Sequence, residues 1–438
     1  MSTTEAMNQL QLFLPCAAGV EEYLEPEVRR ITGAQDVEKR RGGVSLAAGW
    51  RDALLLNLHS RLAQRVLVQL FHAQYRNEQD LYRAASEVAW EIWFTPQQSI
   101  KVEVTAQHSP LTSLNFAALN IKDAVVDRFR AKAGGVRPDV NTQWPDIRIY
   151  AHLTTDTVSL YIDTSGEALF KRGWREDKGE APLKETLAAA LIAASGWADT
   201  PGAPLYDPCC GSGTIAIEAA QIACNIAPGS LRHFAFEKML PFQPHVWAAI
   251  QAEAVRAQRP VAAGQRPVIF GSDVSHRMVD FAQRNAERAG VADAIEFRGG
   301  DALQRMPPCE QPGVMLVNPP YGERIAAAGI AGPAHNQRRG PASQDSGAGT
   351  GPAATGGRES AQTEDGGEFF VQLAAHWKKN YAGWTAWLLT PDLKLPGKMR
   401  LKESRRVPMW NGPIECRLFR FDMVKGSARG APGPNKDA

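Results

Sequence analysis

No apolar run in the chain approaches the roughly 20 residues needed to cross a bilayer. The opening residues, MSTTEAMNQL, lack the charged-then-apolar pattern of a secretory leader. Both absences predict a soluble, cytoplasmic protein. The six cysteines, Cys16, Cys209, Cys210, Cys224, Cys309 and Cys416, form no Cys-x-x-Cys pair and no regular spacing, which predicts free thiols in a reducing compartment and no metal site. Charge of one sign is also missing. Lys plus Arg number 49 against 47 for Asp plus Glu, a net charge of +2, so any attraction for nucleic acid has to be local. What the chain does have is core: 438 residues, 44% hydrophobic and 22% charged, leave room for two or three globular domains.

The first third reads as small α/β modules. Leu10, Leu12 and Leu14 alternate as in a strand, and Val20, Leu24, Val28 and Ile31 recur at helical spacing. The spacing predicts a second helix over Trp50 to Leu70, with Arg61 and Arg65 four apart on one face, followed by a strand at SIKVEVTAQ. ALNIKDAVVDRFRAK predicts an amphipathic helix with Ile121, Val125 and Phe129 inward and Lys122, Arg128, Arg130 and Lys132 outward. DIRIYAHLTTDTVSLYID predicts a hairpin turned at Thr155-Asp156. Further on the grammar becomes strand, turn, helix, repeated. APLYDPCCGSGTIAIEAAQIA predicts a strand, a glycine turn and a helix from Thr214; RPVIFGSD, AIEFRGGDAL and GVMLVNPPYG end three more strands. This alternation implies a doubly wound parallel sheet with ligands at the carboxyl ends of its strands. Residues 326–367 carry almost no large apolar side chains and are expected to be disordered, as is the polar tail, 426–438.

The unusual residues gather at the expected strand ends. In YDPCCGSGT, Gly211 and Gly213 permit a tight turn and a close backbone approach at the start of a helix. A P-loop is excluded, because no Gly-Lys-Ser/Thr follows. A dinucleotide fingerprint would want its acid about 20 residues on, whereas the next strand-end acid is Asp273. Asp273 suits the hydroxyls of a ribose, and Asp301, past the third strand, suits the exocyclic amine of an adenine. At the fourth strand, NPPY offers the Asn318 amide oxygen and the Pro319 carbonyl as fixed acceptors, stiffened by Pro320. Two such acceptors hold both hydrogens of a purine amine and aim its lone pair at an electrophilic methyl group, while Tyr321 stacks on the flat ring.

DPCCGSGT, Asp273, Asp301 and NPPYGER resemble the motifs of class I S-adenosylmethionine-dependent methyltransferases that act on exocyclic amines. LNIKDAVVDRF, PDIRI, IDTSGEALFKRGWR and APLKETLAAALI resemble the THUMP-containing, RlmL-like group, which methylates the guanine 2-amino group in 23S ribosomal RNA. The likeness covers nearly the whole chain apart from 326–367 and the tail. It implies an α/β fold: a ferredoxin-like module over 1–47, a THUMP RNA-binding domain over 48–164, and a Rossmann-like catalytic domain over 165–425. A second methyltransferase domain, present in some relatives, is not expected within this length. The implied cofactor is S-adenosylmethionine, held by Asp207, Pro208, Cys209, Gly211, Gly213, Thr214, Asp273, Asp301, Ala302 and Asn318. The implied catalytic residues are Asn318, Pro319, Pro320 and Tyr321. The implied partner is 23S ribosomal RNA or a large-subunit precursor, met by Lys39, Arg40, Arg41, Lys122, Arg148, Lys171 and Arg172. Methylation of adenine N6 or of a glutamine amide stays open on NPPY alone, as does a non-catalytic RNA-binding assembly factor.

Overall fold

A computed structural model describes residues 9–179, 182–261, 268–319 and 366–424. The N-terminal part is organised on one sheet. Its strands are β1 (Leu10–Pro15), β2 (Val37–Arg40), β3 (Gly43–Ala48), β4 (Leu67–Gln74), β5 (Ile100–Ala106), β6 (Ile147–Leu153) and β7 (Thr157–Asp163), in the spatial order β2-β3-β1-β4-β7-β6-β5. Only the β5–β6 pair is parallel among them. Strand β4 pairs with β1 on one side and β7 on the other, so the two expected modules share a continuous sheet. The helices covering it are α1 (Glu21–Thr32), α2 (Trp50–His59), α3 (Glu78–Glu87) and α4 (Leu114–Lys132). In α4 the Ser113 hydroxyl caps the first turn by accepting from the Phe116 N–H, and Ile121, Val125 and Phe129 point inward as the periodicity predicts.

The helix expected over Trp50 to Leu70 is shorter. It stops at His59, Ser60 turns extended, and Leu67–Gln74 becomes β4. Val66, Leu67 and Val68 are all buried, so the apolar run hides the strand's period of two and imitates a continuing helix. Arg61 and Arg65 therefore do not share a helical face; Arg61 pairs with Glu218 and Arg65 with Asp163. The hairpin prediction agrees with the structure: β6 and β7 are joined by a turn in which the Thr154 N–H donates to the Thr157 carbonyl at 2.9 Å.

The second sheet holds β8 (Leu205–Asp207), β9 (Ile269–Asp273), β10 (Ile295–Gly299), β11 (Val314–Val317), β12 (Thr385–Thr390), β13 (Arg405–Asn411) and β14 (Ile414–Asp422), in the order β10-β9-β8-β11-β12-β14-β13. β10, β9, β8, β11 and β12 run parallel and β14 is antiparallel to both its neighbours. Around it lie α5 (Glu185–Ser195), α6 (Thr214–Ala223), α7 (Pro244–Arg256), α8 (His276–Arg288), α9 (Gly366–Asn380) and α10 (Leu395–Met399). This is the doubly wound, mostly parallel sheet implied by the strand-turn-helix grammar. The edge strand β13 is not expected from the sequence because Pro408 interrupts it, and an edge is where a strand tolerates proline.

The two sheets are fastened through polar contacts. Glu218, fully buried in α6, accepts from Arg172 Nε at 3.0 Å and from Arg61 Nη1 at 3.3 Å. Within the N-terminal part, Asn57 ties α2 to the end of β7: its amide donates to the Thr164 hydroxyl at 2.8 Å and its oxygen accepts from the Ser165 hydroxyl at 2.6 Å. Gly19, at φ 86°, lies so near β13 that a Cβ there would fall 2.4 Å from the Pro408 carbonyl oxygen.

Candidate active site at the strand ends

Strand order reverses between β8 and β11. From β8 the chain adds β9 and β10 on one side, then crosses to add β11 and β12 on the other. A crevice at the carboxyl ends opens where an α/β sheet reverses in this way. Asp207 ends β8, and Asn318 and Pro319 follow β11, which is paired to β8 with Val314 opposite Leu205 and Met315 opposite Tyr206. The glycine turn, both strand-end acids and the start of NPPY are thereby brought to one end of the sheet. Pro320 and Tyr321 lie outside the described residues.

The turn after β8 is tied to its neighbours by backbone and carboxylate hydrogen bonds. Asp207 Oδ1 accepts from the Cys209 N–H at 3.0 Å, and the Cys210 N–H donates to the Ser272 carbonyl at 2.8 Å. Asp273 bridges two elements: Oδ2 accepts from the Gly211 N–H and Oδ1 from the Ser275 N–H, both at 2.9 Å. The Gly300 N–H donates to the Asp273 carbonyl at 2.9 Å, which brings Asp301 and the buried Ala302 alongside. Asp301 Oδ1 accepts from the Leu303 N–H at 2.9 Å. Gly213 sits at φ 88°, and a Cβ there would fall 2.9 Å from the Ala282 Cβ of α8, so only glycine lets the turn close onto that helix. Helix α6 begins one residue later and leaves its first-turn N–H groups at the strand ends.

Electrostatically the site is acidic, with Asp207 buried and Asp273, Asp301 and Asn318 half-buried. Burial pushes the Asp207 carboxyl up to about 8, with the neighbouring Asp273 adding to the rise. Burial raises Asp273 as well, partly offset by the amides of Ser275 and Gly211. The thiols of Cys209 and Cys210 are driven well above their ordinary value by burial and by the nearby carboxylates, so neither is a thiolate nucleophile. The residues fit a ligand that carries a ribose, a hydrogen-bonding base and a cationic group: acceptors stand at three successive strand ends, and a free amide row stands behind the glycine turn. A cavity of about 870 Å³ lies elsewhere, lined by Arg30, His59, Arg61, Ile192, Ile222 and Ile250. It sits at the far end of α6 and takes no part in this arrangement.

The structure does not gather the basic residues expected to meet RNA. Lys39, Arg40 and Arg41 are exposed at the β2 edge of the N-terminal sheet, with Lys39 paired to Glu22 and Arg40 to Glu38. Arg148, on β6 and paired with Glu103, belongs near the other edge, and Lys122, paired with Asp123, lies on α4, which packs against β5. Five strand spacings of about 4.8 Å place β2 and β6 roughly 24 Å apart. Lys171 is exposed beside Glu167. Arg172 corrects the expectation: at 1% exposure, with Glu218 and the carbonyls of Leu169 and Arg61 as its acceptors, it is a structural cation out of reach of RNA. Sequence reasoning also passes over Arg175, whose guanidinium contacts both sides of Gly213. A signal exists, since it stands between the aromatic Trp174 and the acidic run Glu176-Asp177 just ahead of α5.

Comparisons with known proteins place the chain among relatives. Residues 172–332 match a family described as RMKL-like, methyltransferase domain; 75–163 match a THUMP domain and 11–67 an RlmL ferredoxin-like domain. A ribosomal RNA large subunit methyltransferase K/L from Psychromonas ingrahamii is 35% identical over 94% of this chain and 50% of its own length. One from Shewanella amazonensis is 34% identical over 95% of this chain and 54% of its own. The chain thus spans about half the length of the curated relatives it matches. Among solved structures, the methyltransferase SMU.472 complexed with SAH is 26% identical, with a TM-score of 0.77 over 96% of this chain and 100% of that one. A Listeria monocytogenes protein described as an N6-adenine-specific DNA methylase is 28% identical, with a TM-score of 0.77 over 95% and 97%.

Proposed function

Since the chain joins an RlmL ferredoxin-like domain and a THUMP domain to an RMKL-like methyltransferase domain, and so belongs to the THUMP-containing S-adenosylmethionine-dependent methyltransferases, we propose that it methylates the exocyclic 2-amino group of a guanosine in 23S ribosomal RNA. The observation that supports this reading is that β11, which leads into Asn318 and Pro319, pairs with β8, which ends at Asp207, at the strand-order reversal. Asp207, the glycine turn, Asp273 and Asp301 hold the cofactor, which supplies a methyl group on a sulfonium centre. The Asn318 amide oxygen and the Pro319 carbonyl accept the two amine hydrogens of the base, which localises the nitrogen lone pair and orients it for in-line attack. Tyr321 is the stacking partner proposed from the sequence.

Adenine N6 is the second reading, since its amine has the same two hydrogens and the Listeria neighbour is described as acting there. The THUMP domain ahead of the catalytic sheet favours RNA over DNA. Mass mapping of large-subunit ribosomal RNA from cells lacking the protein, followed by labelling with purified protein, tests the proposal: one guanosine should lose a methyl mass and regain it as N2-methylguanosine. Recovery of N6-methyladenosine, or of no modified nucleoside, would overturn it. Asn318→Ala should reduce single-turnover methylation by at least about a hundredfold, the size of effect seen when a group that positions reactants is lost, while SAH affinity measured by calorimetry stays nearly unchanged.

A further inference from the structure

Arg175 stands outside both sheets, in the segment that leads from the N-terminal sheet to α5. Nη1 donates to the Ser212 hydroxyl at 2.8 Å and Nη2 to the Thr214 hydroxyl at 2.7 Å, so one planar group straddles Gly213. Along its other edge Nε donates to Glu185 Oε1 at 2.8 Å, and the guanidinium carbon lies 5.0 Å from the centre of the Trp174 ring. The side chain is only 12% exposed and Glu185 is buried at the start of α5, so the pair is largely withdrawn from water. The segment is itself anchored. Asp177 pairs with Arg284 and Arg288 of α8, and Arg288 Nε donates to the Trp174 carbonyl at 3.0 Å. The Asn285 amide reaches both the Asp177 carbonyl at 2.8 Å and the Ser212 carbonyl at 3.1 Å.

The turn held in this way has a conformational problem. Gly211 and Gly213 both take positive φ, and glycines there lose more freedom on ordering than any other residue. Asp273 fixes the Gly211 amide from within the sheet, whereas among the described residues the hydroxyls of Ser212 and Thr214, which flank Gly213, are held by Arg175. Arg175 holds both at once, which a rigid five-donor fork does and a single ammonium does not. We propose that Arg175 is a positioning residue of the cofactor site, which locks the Ser212-Gly213-Thr214 backbone into its bound shape before the ligand arrives. It touches neither cofactor nor base. The ordering entropy of the turn is then met on folding and not on binding, so its removal appears as lost affinity.

This inference rests on the reading that the turn holds the cofactor, and calorimetry of the full chain with SAH separates the two. Arg175→Lys should weaken SAH about tenfold, and Ser212→Ala, which removes one acceptor and leaves the Arg175–Glu185 pair in place, about threefold. In a Ser212→Ala, Thr214→Val background the further change Arg175→Lys should have little effect. RNA affinity should stay close to wild type; the melting temperature without ligand should fall for Arg175→Lys, which loosens the buried Glu185 pair, and little for Ser212→Ala, which keeps it. A role limited to stability would leave SAH affinity unchanged at a temperature where the variant is folded, and that result would overturn the proposal. If Arg175→Lys does not fold, Ser212→Ala alone decides: unchanged affinity removes the proposed role. Absence of SAH binding by the wild-type chain would overturn the reading of the turn itself, a separate failure.

Discussion

Asp207 is a carboxyl group that the fold holds near neutrality until about pH 8, because it is buried and has Asp273 as a neighbour. Its unfolded value is about 3.9, so between about pH 4 and pH 8 the native state binds the extra proton. Folding stability from this group is therefore complete below about pH 4 and is lost as pH rises through about 8. Asp207→Asn should flatten that part of a stability profile measured by denaturant titration across pH 5–9. An unchanged slope would show that Asp207 is ionised in the native state. Binding is linked in the opposite sense. If the proposed cofactor seats its cationic amine beside Asp207, the carboxylate is favoured, so SAH uptake should release a proton and SAH affinity should rise from pH 6 to pH 8. Calorimetry in buffers of different ionisation enthalpy reads that proton directly. At this scale the sequence is informative where chemistry collects at strand ends, as with Asp207, Asp273, Asp301 and Asn318. It is silent on burial: nothing in KRGWR says that Arg172 turns inward to Glu218 or that Arg175 reaches across to the glycine turn. Asp273 is also more committed than its sequence suggests, because each of its oxygens already accepts a backbone amide.

The element that unites the site with the rest of the fold is α6. Its first turn follows Gly213 at the strand ends, and four residues into it Glu218 is buried against Arg172 and Arg61. A lone carboxylate in TIAIEAAQIA is conspicuous once the helix is known to be buried on nearly all sides. Arg172→Ala leaves that charge deprived of its closest partner and should cost about 3–5 kcal/mol in chemical denaturation. Because Arg61 also pairs with Glu218, only the triple change Arg172→Met, Glu218→Leu and Arg61→Met removes every charge of the cluster, and it should recover most of the loss. Loss of less than about 1 kcal/mol in the single variant would mean that Arg61 alone satisfies Glu218. One strand departs from the sequence expectation and another goes unread in the sequence, each for an identifiable reason. Leu67–Gln74 merges with the buried apolar run before it, so its strand period is masked, and only the pairing with β1 and β7 decides it. Arg405–Asn411 carries Pro408, which argues against a strand unless the strand is known to be at an edge. The βα turns are legible because glycine, proline and aspartate there are dictated by local backbone geometry.

For the whole molecule, the fastening of the N-terminal sheet to the catalytic sheet through Glu218 and Gly19 fixes how RNA held by the first would meet the second. The net charge of +2 gives no general attraction, and the cations named from sequence divide between two regions of the N-terminal sheet roughly 24 Å apart by its strand spacing. One short RNA helix reaching both would have to lie across the sheet. Lys39→Gln with Arg41→Gln tests the β2 edge, and Lys122→Gln with Arg148→Gln tests the other. Each phosphate deprived of its cationic partner lowers the salt dependence of binding by about one unit of slope. If RNA spans the sheet, each double variant should lower the slope by about two, and the fourfold variant should sum their free energies, since the two groups are too far apart to couple. Binding measured between about 50 and 200 mM salt is sufficient to read these slopes. A change from one pair alone would confine the RNA to that edge. Slopes unaffected by both pairs would place the RNA on another surface of the molecule and remove these residues from its recognition.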